Sequence, residues 1–261
     1  MKKIKTFFLM CIGLMVLIPV LNFNFKPNSV SAIDNRKLAE SPFGQISGFT
    51  ENLKNYINDR IGLRELAINL NTQMNDKLFN EMIHPSYEYG KDGQVFFKLK
   101  VEDPNYEFLD KYVDHVKNIQ EYCNSRNVLF IYVNNPSKTT IYRDYLPEGY
   151  NYNNKLLDYL RLKLKEEEIE FVDNALILEE KAKEEQVFNV KYDVGHWNDL
   201  GAYYGINNIL ERVKKYYPQV KFNSMEDFNI VKETMTSLPV SQFKINEEVE
   251  KFVLKDEYKK I

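Results

Sequence analysis

Apolar residues recur at helical spacing along much of the chain after residue 50. A helix buries one stripe of its surface, so this spacing predicts amphipathic helices packed on a core. The segments are the stretch from about Thr50 (Leu53, Tyr56, Ile57, Ile61), the stretch from Arg64 (Leu66, Leu70, Met74, Leu78), Phe108 to Tyr122, the stretch from about Asn154 (Leu156, Leu160, Leu164), and Asp199 to about Lys215 (Leu200, Tyr203, Ile206, Leu210, Val213).

Shorter apolar runs between these helices predict strands. Tyr87 to Phe97 places two aromatic-rich arms around Lys91-Asp92-Gly93 and predicts a β-hairpin. Val128 to Val133 and Ile169 to Val172 are apolar without alternation, which is typical of strands covered on both faces. Glu250 to Leu254 is a candidate for one more strand near the end of the chain.

The order strand, helix, strand, helix predicts an α/β fold with a mostly parallel sheet. In such sheets, sites form where loops leave the carboxyl ends of the strands. We therefore expect the loop at Asn134–Lys138 and the stretch from Asp173 to His196 to share one edge of the sheet.

The N-terminal 32 residues form a separate export segment. Three lysines precede an apolar run from Phe7 to Leu21, and Val30-Ser31-Ala32 offers small residues for cleavage. Cleavage after Ala32 is the favoured interpretation, and an uncleaved membrane anchor is the alternative. Both place the rest, residues 33–261, outside the cytoplasmic membrane as one domain.

Net charge and cysteine content exclude one class of partner and one kind of cross-link. The net charge of −3 becomes −7 when the four lysines of residues 1–32 are removed, so nucleic acid is not an expected partner. Cys123 is then alone, which excludes an intramolecular disulfide, and its helical face predicts a buried, inert thiol.

The sequence DVGHWNDLGAYYG, residues 193–205, carries the candidate chemistry. Asp193 and His196 are three residues apart with Gly195 between them, so the carboxylate can turn back and orient the imidazole. Trp197 would shield the pair from water or stack on a sugar face. Asn198 offers an amide to substrate, and Asp199 is expected to cap the next helix.

Other interpretations of these residues remain open from spacing alone. An aspartate and a histidine three apart before a helix also fit a helix cap beside a satisfied histidine. Asp193, His196 and Asp199 are metal-ligand types, but the other two histidines of the chain, His84 and His115, are far away in sequence. We predict no metal and no cofactor.

Several segments together resemble the exported SGNH hydrolase-like family of alginate O-acetyltransferases and the related DHHW proteins. The resemblance covers residues from Ile33 to about Val213, most of the exported part. Its matching segments are IDNRKLAESP, NDRIGLR, YGKDGQVFF, VNNPSKTTIYRDYLP and GHWNDLGAYYG.

The resemblance implies an SGNH hydrolase-like three-layer sandwich and a Ser-His-Asp triad that moves acetyl groups onto or off polysaccharide hydroxyls. The family histidine maps onto His196. The family aspartate of the D-x-H-W motif maps onto Val194, so Asp193 takes the orienting role by the D-x-x-H spacing of ordinary SGNH hydrolases. Lys138, in the turn that follows Val128 to Val133, is assigned to substrate binding.

The family nucleophile is a serine in a G-D-S motif downstream of the histidine, and this sequence contains no G-D-S. Ser224, Ser237 and Ser241 follow His196 without a preceding Gly-Asp, and Ser137 is a local substitute better suited to a turn hydrogen bond. The sequence therefore resembles a family member whose sheet is incomplete at the C-terminus.

Three functions follow as hypotheses, and whether the chain is an enzyme stays open among them. The first is an extracytoplasmic O-acetyltransferase or esterase acting on a cell-surface polysaccharide, with a membrane-bound O-acyltransferase as a possible second partner. The second is a non-catalytic exported module of the same fold that binds a glycan or a partner. The third is a truncated product with an exposed sheet edge, prone to aggregation.

Overall fold

The computed structural model describes residues 2–31, 36–44, 47–98, 104–150, 152–239, 241 and 243–256. The chain divides into two compact units. One comprises Met1–His84 and Ser237–Lys244, and the other comprises Pro85–Thr236 and Ile245–Ile261. The predicted boundary after residue 32, at the end of the export segment, stays a prediction.

The first unit begins with the apolar helix α1, Lys2–Leu21, which is long and apolar enough to cross a membrane. Strands β1, Val30–Ser31, and β2, Arg36–Lys37, pair antiparallel. The predicted cleavage point at Ala32 and the first residues of IDNRKLAESP lie outside the described residues. Helices α2, Phe49–Arg60, and α3, Arg64–Phe79, confirm the first two predicted helices.

Asp59, Arg60 and Arg64 lie at the α2–α3 joint, where such a charged group could be an exposed ion pair or a corner that binds anions. Asp59 accepts hydrogen bonds from two guanidinium nitrogens of Arg36, each at 2.7 Å, and these bonds lower the pKa of Asp59 to about 2. Arg60 is buried, and its guanidinium donates to the carbonyl oxygens of Asn24, Lys26 and Ala39. Asp59 and Arg60 are thus engaged within the protein and serve its structure.

The second unit opens with the predicted hairpin. Strands β3, Tyr87–Tyr89, and β4, Val95–Phe97, pair antiparallel, with Tyr87 opposite Phe97. The turn contains Asp92 and Gly93 at positive φ, which the Asp-Gly pair accommodates.

Alternating helices and strands follow the hairpin. Their bounds are α4 Tyr106–Asn124, β5 Tyr132–Asn134, α5 Lys138–Ile141, α6 Lys155–Glu166, β6 Phe171–Asp173, α7 Asn174–Lys181 and α8 Asp199–Lys214. Two longer strands, β7 Phe228–Ser237 and β8 Lys244–Leu254, pair with each other in a two-stranded sheet. Strand β8 includes the predicted Glu250–Leu254.

The fold is α/β, but the parallel part of the sheet is smaller than expected. Among the described residues, β5 and β6 form the one parallel pair, with Asn134 opposite Asp173. Strand β5 begins four residues later than the predicted Val128, whose side chain is exposed. An apolar run without alternation therefore overestimated both the length and the burial of this strand.

Two apolar clusters support the second unit. One packs α4 and α6 on the parallel pair through Val113, Val116, Leu164 and Ile169. The other lies beneath the loop that leads to α8 and consists of Phe96, Tyr142, Leu146, Leu178, Val187 and Phe188. Cys123, predicted to be buried, is half-buried at the end of α4.

Leu164→Ala should lower the free energy of unfolding by about 2–5 kcal/mol, because this buried side chain fills the α4–α6 cluster. Leu162→Ala is the matched control on the same helix, where the side chain is half exposed. Urea unfolding followed by circular dichroism measures both. Equal losses in the two variants would contradict this account of the core.

Candidate functional site

The candidate site is carried by the loop that connects α7 to α8. The loop is closed at its base by Asn198, whose backbone amide donates to the carbonyl of Val187 at 3.1 Å. The Asn198 side-chain amide also donates to the carbonyl of Gln186, at 2.6 Å. The two ends of the segment 187–198 are therefore hydrogen-bonded together.

Asp193 and His196 meet at the tip of this loop. The Asp193 Oδ1 lies 2.8 Å from the His196 Nδ1, and the His196 backbone amide donates to the Asp193 carbonyl at 3.2 Å. Asp193 adopts φ 48°, a left-handed conformation that aspartate tolerates better than most residues. The tight turn brings the carboxylate back to the imidazole as predicted.

Burial distinguishes positions 193 and 194 as places for an acid beside His196. Val194, onto which the family aspartate maps, is buried with 3% of its surface exposed, so a carboxylate there would enter the core. The Asp193 side chain is 40% exposed and that of His196 is 77% exposed. The acid that contacts the histidine is therefore Asp193.

This pair can act as an acid–base unit. With Asp193 ionised, the Nδ1–H tautomer of His196 donates to it, and Nε2 is left to accept a proton from another group. The imidazolium that results is stabilised by the adjacent carboxylate. Because the ring is exposed, its Nε2 is accessible to an incoming molecule.

The β3–β4 hairpin supports the loop from one side. Phe97 approaches to 3.1 Å from the position that a Cβ of Gly195 would occupy, so a larger residue at 195 would press on this ring. Tyr87 stacks on Phe97 with ring centroids 5.0 Å apart. Burial raises the pKa of the Tyr87 hydroxyl, and the Asp193 carboxylate adds to this. Sequence reasoning did not connect the hairpin with the loop.

Trp197 packs inward on helix α8. A Cβ added at Gly201 would lie 2.9 Å from the Trp197 Cβ, and one at Gly205 would lie 2.8 Å from its ring. The ring also packs against the cluster beneath the loop. These contacts give Trp197 a structural role in fixing the loop on the helix, and its proposed stacking on a sugar stays a prediction.

Asn198, and not Asp199 as predicted, caps helix α8. Asn198 is the N-cap of α8, and its Oδ1 accepts from the Gly201 amide at 2.9 Å, so both ends of its side-chain amide are engaged. Asp199 does not cap the helix. Its Oδ2 accepts from the backbone amide of Phe252 in β8 at 2.8 Å.

Lys138 lies inside the protein. Its Nζ donates to the carbonyl oxygens of Val95, Asn189 and Val190 at 3.0, 2.7 and 2.7 Å, and the residue is 2% exposed. Burial lowers the pKa of Lys138 to about 7, and the carboxylate of Glu247 opposes that shift. We predicted that Lys138 contacts substrate, but its buried position does not allow this contact. Lys138 ties β4 to the segment that leads into the loop.

Within the described part of the chain, no serine hydroxyl hydrogen-bonds to the His196 ring. Ser137 is the N-cap of α5, with its Oγ accepting from the Thr140 amide and lying 3.1 Å from the Thr140 hydroxyl. The predicted turn role of Ser137 is therefore confirmed. Ser241, the last of the three downstream serines, lies 3.0 Å from His84 Nε2 in the first unit.

Asp193, His196 and Asp199 were weighed as metal ligands. No cluster of three or more histidine, cysteine or acidic side chains suited to a metal ion occurs in the described ranges. The Asp199 carboxylate is held by Phe252 of β8.

The edge of the parallel pair holds a separate polar network. Asn134 donates to Asp173 at 3.0 Å, Asn174 donates to Asn135 at 2.8 Å, and Asn208 donates to Asn174 at 2.9 Å. Asp173 also caps α7 and pairs with Arg161. The two loops thus meet at the carboxyl ends of the strands, as expected, but their polar side chains satisfy one another.

The comparisons with known proteins bear on this geometry. The family model described as "SGNH hydrolase-like domain, acetyltransferase AlgX" matches residues 89–239, more than half of the chain and including the whole loop. The chain belongs to this family. No curated protein matches the sequence.

Solved structures agree with the AlgX family fold. Bacillus cereus PatB1 with a sulfonyl adduct is similar at TM-score 0.53 and 17% identity, over 65% of this chain and 56% of that one. A second Bacillus cereus PatB1 structure has TM-score 0.53 and 18% identity, over 63% of this chain and 57% of that one. The O-acetyltransferase domain of Pseudomonas putida AlgJ has TM-score 0.50 and 15% identity, over 66% of each chain. The chain thus spans just over half the length of PatB1.

Stability should depend on pH through Lys138. Because burial lowers its pKa to about 7 from 10.5, the unfolded chain binds more protons than the folded chain between those pH values. The folded state therefore gains stability as pH rises through this window, by at most about 1.4 kcal/mol per pH unit.

Comparison with Lys138→Met isolates this effect, since other titrating groups cancel. The free energy of unfolding of the wild type minus that of the variant should increase from about pH 7 to about pH 10, measured by urea unfolding. A difference that stays constant across this range would contradict the account.

Proposed function

We propose that this chain is an extracytoplasmic AlgX-family protein connected with O-acetylation or deacetylation of a cell-surface polysaccharide. The observation that carries the proposal is the 2.8 Å contact between Asp193 and His196 on an exposed loop of a chain in an acetyltransferase family. The polysaccharide and the acetyl donor are assigned only as classes.

The chemistry assigned to the pair is proton transfer during acyl transfer. His196 Nε2 removes the proton from an attacking hydroxyl, and the hydroxyl oxygen bonds to the acetyl carbonyl carbon. Asp193 stabilises the imidazolium that forms. The imidazolium then returns the proton to the leaving oxygen as the acetyl–oxygen bond of the donor breaks. A serine hydroxyl is the family nucleophile, and its source stays open.

His196→Ala should abolish hydrolysis of an activated acetyl ester such as p-nitrophenyl acetate, because the proton acceptor is removed. We expect kcat/KM, measured after subtraction of the uncatalysed background rate, to fall by about 10²-fold or more. The measurement is release of p-nitrophenol by the purified protein.

His115→Ala is the matched control for this test. His115 is also exposed, on α4, and has no assigned role, so its variant should keep wild-type activity. Equal activity in wild type and His196→Ala would overturn the catalytic role.

A second function is favoured by one specific observation. The sequence has no G-D-S, and no serine in the described residues bonds to His196. A non-catalytic module that binds a glycan or partner fits this finding. It predicts no labelling by a fluorophosphonate probe, and glycan binding that survives His196→Ala, whereas the enzyme predicts labelling.

The localisation proposed is the outer face of the cell membrane, with α1 retained as an anchor. Arg60 is 2% exposed and donates from one guanidinium nitrogen to the carbonyls of Asn24 and Lys26. The Gly62 amide donates to the Pro19 carbonyl at 2.9 Å. Cleavage after Ala32 would remove these acceptors and strand β1, leaving buried donors unpaired, which is costly.

Full-length protein produced in a bacterial host should therefore keep its first 32 residues and stay with the membrane fraction after an alkaline carbonate wash. Intact mass and fractionation measure this. Val30→Ala is the control. It changes an exposed residue, creates an Ala-Ser-Ala cleavage sequence and shows whether a cleaved form of the protein is stable. A wild-type protein that begins at residue 33 would contradict the anchor.

A further inference from the structure

Strand β8 is attached to both ends of the loop that carries Asp193 and His196. Before the loop tip, the Glu247 carboxylate accepts from three consecutive backbone amides, those of Val190, Lys191 and Tyr192, at 2.7, 2.9 and 2.5 Å. After the tip, the Phe252 amide of the same strand donates to Asp199 at 2.8 Å.

The three amides held by Glu247 directly precede Asp193. A carboxylate that accepts three backbone hydrogen bonds makes strong, charge-assisted contacts and fixes the orientation of each peptide plane. The next residue, Asp193, must turn to φ 48° to reach His196. The direction from which the chain enters this turn is therefore set by Glu247.

The opposite side of the same segment is also held. The carbonyls of Asn189 and Val190 accept from Lys138 Nζ, and the Val190 carbonyl accepts from the Val95 amide at 2.8 Å as well. Amides facing Glu247 and carbonyls facing Lys138 leave residues 189–192 little freedom to rotate.

Strand β8 is itself anchored in the second unit. Val249 is buried two residues beyond Glu247, on the same face of the strand. Phe252 packs with Tyr203 of α8 and Phe228 of β7, with ring centroids 6.4 and 5.8 Å away. The carboxylate is thus presented from a fixed element.

We propose that Glu247 is a positioning residue for the His196–Asp193 pair, acting through the amides of residues 190–192, with the Asp199–Phe252 contact holding the other end of the loop. The proposal rests on the proposed function for its catalytic meaning. Its geometric content can be tested without any activity.

The test uses the imidazole of His196 as a reporter. The chain has three histidines, so long-range proton–nitrogen NMR spectra of the full-length protein in detergent can resolve each ring. At mildly alkaline pH the wild type should show His196 as the Nδ1–H tautomer bonded to Asp193. In Glu247→Gln the spectrum should move toward the Nε2–H tautomer that free histidine prefers, while His115 stays unchanged.

Two further readouts accompany the tautomer. Deuterium exchange at the amides of Val190, Lys191 and Tyr192 should become at least about tenfold faster in Glu247→Gln, because a neutral amide oxygen replaces the carboxylate. If the wild type hydrolyses p-nitrophenyl acetate, kcat should fall about tenfold or more, with little change in KM, since the pair is misaligned and not removed.

Glu248→Gln is the matched control on the same strand. Glu248 is exposed and pairs with Lys232 at 2.7 Å, away from the loop, so its variant should match the wild type in all three readouts. Should Glu247→Gln fail to fold, Glu247→Asp keeps the charge but shortens the reach, and Asp199→Ala releases the other end of the loop. Each should shift the tautomer in the same direction.

An unchanged His196 tautomer in a folded Glu247 variant would overturn the positioning role, whatever the activity. A wild type with no ester hydrolysis but a tautomer shift in Glu247→Gln would instead count against the proposed function and leave the positioning role supported. The two failures are therefore distinct.

Discussion

The arrangement of the second unit depends on the buried side-chain nitrogen of Lys138. Its three bonds to carbonyl oxygens join β4 of the hairpin to residues 189 and 190, two segments that are far apart in sequence. Because a buried nitrogen left without hydrogen-bond partners is costly whether charged or neutral, the three carbonyls must converge around it for the fold to form. The hydrogen bonds of Lys138 therefore fix the hairpin, the loop and the cluster around Phe96 relative to one another.

Helices were the more predictable part of the fold. Their spacing signal extends over many residues, and each of the five predicted helices occurs close to its expected bounds. Strands β5 and β6 are only three residues each, too short for a pattern, and the apolar run from Val128 misjudged where pairing starts. Strand β7, Phe228–Ser237, was missed because its residues are mostly exposed and carry little alternation of burial.

The candidate site also has a part that the sequence predicts and a part that it does not. The Asp193–His196 contact spans three residues, so local geometry alone made it predictable. The supports of that contact are contributed by Tyr87, Phe97, Lys138 and Glu247, each at least 51 residues from Asp193 and His196 along the chain (247 − 196 = 51). Charged side chains with such distant backbone partners leave no periodic trace. Lys138 was therefore assigned to substrate, and Glu247 was not recognised.

The left-handed backbone at residue 193 has a consequence for which amino acids this position can accept. A φ of 48° favours glycine, asparagine and aspartate, whereas contact with an imidazole nitrogen at 2.8 Å requires a short acidic side chain. Glutamate satisfies the charge but fits the backbone poorly, and asparagine or glycine fits the backbone without the charge. Aspartate alone meets both demands, so a homologue that keeps the pair in this loop geometry should keep this residue.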